Sequence, residues 1–167
     1  MEFELKTIAR ESVESAKEKA IRYRLLNQPA LAESICRDVL AVAPDDRETV
    51  ITLLLALTDQ FTSQRGSRVR EATELVSHFE DEYDKRYYSG LICERRALAI
   101  LAKANPRSGP IAYDWLRRAM EHYESAEEIE PEGNEDALLR WNTCARVIMG
   151  DRHVRPASEE RAHTMLE

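Results

Sequence analysis

Glycine and proline punctuate this chain at intervals that leave little room for anything but helices. Pro29, Pro44, Gly66, Pro106, Gly109, Pro110, Pro131, Gly133, Gly150 and Pro156 bound segments of helical length, and only Gly90 falls inside one. The chain holds 5 glycines and 6 prolines in 167 residues, against an ordinary combined usage of about 12%. Folds with many tight turns need more of both. The deficit therefore argues against β-sandwiches, barrels and Gly-rich phosphate loops. No segment sustains the period-two alternation of a half-buried strand.

The apolar spacing between the breaks predicts seven helices. The first runs from Glu2 to Leu26, with Ile8, Ala16, Ala20 and Tyr23 on one side, and Asn27-Gln28-Pro29 ends it. The second spans Ala30 to Ala43, the third Arg47 to Thr62 with Pro44-Asp45-Asp46 closing the second and offering an N-cap, and the fourth ends near Asp81. The fifth covers Tyr83 to Lys103, the sixth Ile111 to Glu130 and the seventh Asn134 to Met149. Their connections are short, so neighbours must pack as antiparallel hairpins. The expectation is one all-α domain over 1–149, with 134–149 as a capping helix and 150–167 as a polar, flexible tail.

Charge and cysteine narrow the function classes. There are 31 acidic and 24 basic residues, a net charge of −7, and such a chain repels a phosphate backbone unless its cations gather in one place. Neither nucleic acid nor membrane is an expected partner. Cys36, Cys93 and Cys144 lack metal-ligand or redox spacing and sit in helix-like apolar surroundings. They read as free, buried thiols in a reducing compartment. Met1 to Lys6 lacks the basic and apolar regions of a secretory leader. The most apolar run, Val50 to Leu57, is far short of the roughly 20 residues a membrane span needs. A soluble, cytoplasmic protein is expected.

Internal similarity sharpens the fold. Ala20 and Tyr23 are followed by Ala32, Cys36, Val39 and Pro44, and the second half of that pattern returns as Ala119-x3-Tyr123-x2-Ala126-x4-Pro131. Leu54 lies ten residues beyond Pro44, Trp141 ten beyond Pro131, and Ala20 to Leu54 is 34 residues. These offsets resemble the tetratricopeptide repeat (TPR), where small residues let paired helices approach, an aromatic fills the gap to the next hairpin and a proline stops the second helix. The middle departs from the pattern, since Ala32, Ala72 and Ala119 are 40 and 47 residues apart. The resemblance covers Ala16 to Ile148, more strongly at its ends than between Gln60 and Asn105. It implies a short right-handed solenoid of three hairpins and a cap. A closed seven-helix bundle is the alternative.

The same resemblance implies a protein-binding role. The first helix of each TPR hairpin lines a concave groove, which here implicates Lys17, Ile21 and Arg24 in the first helix. In the seventh it implicates Leu138, Asn142 and Arg146, with Arg95 and Arg96 joining from the fifth. TPR domains that clamp a peptide carboxylate use Lys and Asn one turn apart, whereas Ile21 follows Lys17 here, so the clamp is not expected. A protein or peptide partner, or a second copy of the chain, is.

Enzymatic signatures are weak by comparison. The chain has no GxxxxGK[ST], GxGxxG, GxSxG or HExxH motif, and no cofactor is expected. His78 and His122 have Glu74, Glu82 and Glu121 near them in sequence, and solvated or hydrogen-bonded histidines explain them without a metal. Arg117-x4-His122 and Arg146-x6-His153 are similar to the Arg/His spacing of HEPN-type ribonucleases, but about 1.4 such matches arise by chance. A small all-α ribonuclease or metal-dependent hydrolase is the alternative function. Glu121 to Asp136 contains eight carboxylates and no Lys or Arg. It reads first as a solvated helix face and second as an acidic docking surface.

Overall fold

A computed structural model of the chain describes residues 3–62, 65–103 and 105–157. Those residues are all-helical with no strand: α1 Val13–Leu25, α2 Pro29–Val42, α3 Arg47–Thr58, α4 Arg65–Ser77, α5 Glu82–Leu101, α6 Ser108–Glu127 and α7 Asp136–Gly150. A 3₁₀ turn, Arg10–Ser12, leads into α1. The chain divides into two compact units, residues 1–75 and 76–167.

In the first unit α2 packs on both α1 and α3, and α1 also touches α3. Sequence signals set the corners. Asn27 takes the left-handed conformation (φ 58°), the Gln28 amide donates to the Tyr23 carbonyl and the Asn27 amide to that of Arg24. That is a Schellman stop, and it places Pro29 at the first position of α2. Asp46 caps α3, accepting from the Thr49 amide at 2.8 Å and its hydroxyl at 2.6 Å. Ala20, Ala32, Cys36, Val39, Leu54 and Leu57 are buried.

Two boundaries here differ from the sequence expectation. Residues 3–9 are not helical, and Phe3 and Leu5 stand more than four-fifths exposed; without an apolar surface to pack on, a helix end has only its weak intrinsic propensity. α3 stops four residues early because the chain folds back on itself. Gln60 donates to the Ala56 carbonyl and to Glu33, and Phe61 is buried.

In the second unit α6 packs on both α5 and α7. Its core gathers Cys93, Ala97, Ala112, Leu116, Ala119, Met120, Tyr123, Ala126, Ala137, Cys144 and Val154. Gly90 explains its place inside α5: a Cβ there would sit 2.7 Å from the Tyr123 ring, so glycine lets α5 and α6 approach. α6 begins at Ser108, three residues before the expected Ile111, because Ser108 and Gly109 are buried. They are covered by the segment after α7. A side chain at 109 would collide with the His153 carbonyl, Val154 is fully buried, and Arg155 donates to the Ile148 carbonyl at 2.6 Å. The polar tail expected from 150 is thus anchored through 155, since one valine fills the core and one arginine satisfies the C-terminal carbonyls of α7. Residues 158–167 lie outside the described residues.

Candidate functional site

Each unit ties its helices with a buried glutamate. Glu33 on α2 accepts from Arg37 at 2.7 Å, from Gln60 at 2.7 Å and from Arg68 of α4, while Arg37 also reaches Glu71 of α4 at 2.7 Å. Burial alone would raise the Glu33 carboxyl, but the Arg37 and Gln60 hydrogen bonds and the charges of Arg68 and Arg37 hold it below its ordinary value. In the second unit Glu94 of α5 accepts from the Tyr123 hydroxyl of α6 at 2.6 Å and from Arg140 of α7 at 3.1 Å. Burial and the adjacent Glu94 charge push the Tyr123 phenol far up, so it stays a neutral donor. Both staples are structural, and both glutamates escaped the sequence reading.

The residues expected to line a groove divide into two groups. Lys17, Ile21 and Arg24 share one face of α1, but the two cations are spent internally. Lys17 bridges to Asp46 at 3.0 Å and Glu48 at 2.8 Å, and Arg24 to Asp59 at 2.8 Å. They fasten α1 to both ends of α3. Hydrogen bonds to Glu48 and Asp46 hold the Lys17 ammonium well above its usual range. Ile21 remains half-exposed on that face.

On α5, Arg95 is half-buried, and the Arg96 guanidinium lies 3.9 Å from the Trp115 ring centroid, with that of Arg118 at 4.7 Å. On α7 the outlook is different. Asn142 is half-buried and Arg146 exposed, and Leu138, Leu139 and Met149 lie beside them at 36%, 57% and 71% exposure. At 100° per residue these five side chains fall within about 100° of one helix face. Among the described residues α7 packs chiefly on α6, and this face carries three large apolar residues in water.

That face borders two open clefts. One, of about 360 Å³, is lined by Glu124, Glu127, Leu138, Trp141 and Asn142. The other, of about 620 Å³, runs along the α6–α7 turn from Glu127 to Leu139. The turn is held firmly. Glu130 accepts from the Tyr83 hydroxyl and the Ala137 amide, both at 3.0 Å; Asn134 donates to Tyr83 at 3.1 Å, and Trp141 donates to Glu124 at 2.8 Å. Burial and the Glu130 hydrogen bond push the Tyr83 phenol up.

Arg117 turns to the Met120 sulfur at 3.6 Å, and burial lowers the His122 pKa, leaving a neutral imidazole at neutral pH. His153 is exposed and paired with its neighbour Arg152. Among the described residues no three His, Cys, Asp or Glu side chains converge as metal ligands, and no helix is long and apolar enough to cross a membrane. All three cysteines are unpaired and buried. No family model, curated protein or solved structure matches the chain.

Proposed function

We propose that this chain is a non-enzymatic interaction module, a short TPR-like array that holds a segment of a protein partner, in a reducing, cytoplasmic compartment. The observation that carries the reading is the outer face of α7, where Leu138, Leu139 and Met149 stand in water around Asn142 and Arg146. Exposed apolar side chains grouped on one rigid helix are the usual mark of a docking surface. Solenoids normally end in a helix with a polar outer face, and α7 has the opposite. The repeat positions add support: Ala20, Ala32, Cys36, Val39, Leu54, Ala119, Tyr123 and Ala126 are all buried, as close helix pairing in such an array requires. Within the second unit Arg95 and Arg96 are further candidate contacts, and within the first Ile21 is one, with Lys17 and Arg24 bracing α1 against α3.

The test compares wild type with a Leu139→Asp/Arg146→Glu/Met149→Asp variant as bait in lysate from the source cell, read by mass spectrometry. A partner recovered by wild type and depleted at least about tenfold with the variant, at unchanged helical circular dichroism, is the expected result. Identical recovered sets would overturn the reading.

A further inference from the structure

The charges along α6 are arranged against its own dipole. Arg107 sits at the N-cap and the first turn holds no acid, while the last turn carries Glu124 and Glu127 and holds no base. Helix ends prefer the reverse. An arrangement that costs stability within the chain favours an explanation outside it.

Each end also pairs its charge with exposed apolar groups. At the N-terminal half, Arg107, Ile111, Trp115 and Arg118 follow at intervals of four, four and three residues, forming one stripe. Ile111 is 47% exposed, and Arg96 and Arg118 both pack on Trp115. At the other end, the larger cleft sets Glu127, Glu132, Glu135 and Asp136 around Leu138 and Leu139. One surface is net basic, with the exposed Asp114 among its arginines, and carries apolar anchors. The other is acidic with an apolar floor.

We infer that the α6–α7 cleft of one copy receives the Arg107–Arg118 stripe of a second copy. Guanidiniums meet carboxylates at the rim while Ile111 and Trp115 cover the leucines. Both halves of this complementarity belong to the same chain, so no foreign partner is needed to supply the cation. The contact is heterologous: each docked pair leaves one free stripe and one free cleft, so association continues unless a ring closes. Being a rim of exposed charges, it is salt-sensitive. The inference rests on the α7 face being a binding surface and names what occupies its N-terminal end.

Light scattering of the purified full chain tests it. At about 0.05 M salt the mean mass should rise with concentration above that of the monomer, and at about 0.5 M it should return to it. Arg107→Glu/Arg118→Glu and Glu127→Lys/Glu132→Lys, all at exposed positions, should each weaken association about tenfold or more. Mixing the two variants should restore it, because the mixture holds an intact stripe and an intact cleft on different molecules. A monomer at every concentration, association indifferent to both reversals, or a mixture that stays dissociated while each variant keeps its helical spectrum would overturn the inference. A monomeric chain that still loses its cellular partner with the α7 variant overturns self-association alone.

Discussion

Glu33 in the first unit and Glu94 in the second do the same task with different chemistry. Glu33 is held by Arg37, Arg68 and Gln60, and its network runs on to Glu71, with Arg37 45% exposed. Glu94 meets a neutral phenol and one arginine beside a large apolar cluster. Partners that reach water can be rehydrated when the carboxylate is lost; a phenol with no exposed surface cannot. The first staple should therefore be sensitive to protons and the second to shape. The two units report separately. Trp115 and Trp141, the chain's 2 tryptophans, lie in the second unit, and Cys36 is the sole cysteine of the first.

The largest effect is expected from Tyr123→Ala. It empties a fully buried aromatic site and strips Glu94 of its 2.6 Å donor, at a cost of about 3–5 kcal/mol. Tryptophan fluorescence in a denaturant titration reads that loss. A midpoint shift under about 1 kcal/mol would contradict a shape-dependent staple. Gly109→Ala comes next, at about 1–3 kcal/mol. It forces the His153 carbonyl and with it Val154 away from α6, so proteolysis between Gly150 and Arg155 should accelerate.

Acid probes the other side of the contrast. The folded Glu33 carboxyl lies below its ordinary value of 4.5. Its contribution is complete above that value and is lost as pH falls through the lower folded one. Labelling of Cys36 is read relative to the denatured chain at the same pH, a ratio that cancels the loss of thiolate. On acidification it should rise before tryptophan fluorescence changes, and Glu33→Gln should flatten that acid limb. An unchanged acid limb in Glu33→Gln removes Glu33 as its source. The smallest effect belongs to Arg24→Ala, about 1 kcal/mol, because the part-buried Arg24–Asp59 pair keeps one side open to water. The same thiol readout checks it, and a loss of several kcal/mol would mean that α1 depends on this pair far more than its exposure implies.

Much of the helical framework was legible in sequence. Pro29, Pro44 and Asp46 stop, turn and start helices by local chemistry alone, and α2 and α3 begin where those signals place them. Two of the misplaced boundaries are set by distant contacts, at Thr58 by Gln60 on Glu33 and at Ser108 by Val154 and His153. The candidate site shows the same division. Leu138, Asn142 and Arg146 lie along one face of α7, with Asn142 half-buried, whereas Lys17 and Arg24 are taken up by Asp46, Glu48 and Asp59. Glu33 and Glu94 left a trace that went unread: Glu33 sits beside Ala32 and three residues before Cys36, and Glu94 three before Ala97, each on an apolar face. A carboxylate at a core position needs a donor, and the donor's address is not local.

By itself the sequence determined the helices, their stops and the small buried residues that let them pair, because capping, backbone restriction and apolar periodicity act over a few residues. Only the tertiary structure decided which charges became internal staples and which stayed open. Burying a charge is favourable only when its partners arrive together, and apart from Arg37, one turn from Glu33, those of Glu33 and Glu94 come from 27 to 46 residues away along the chain.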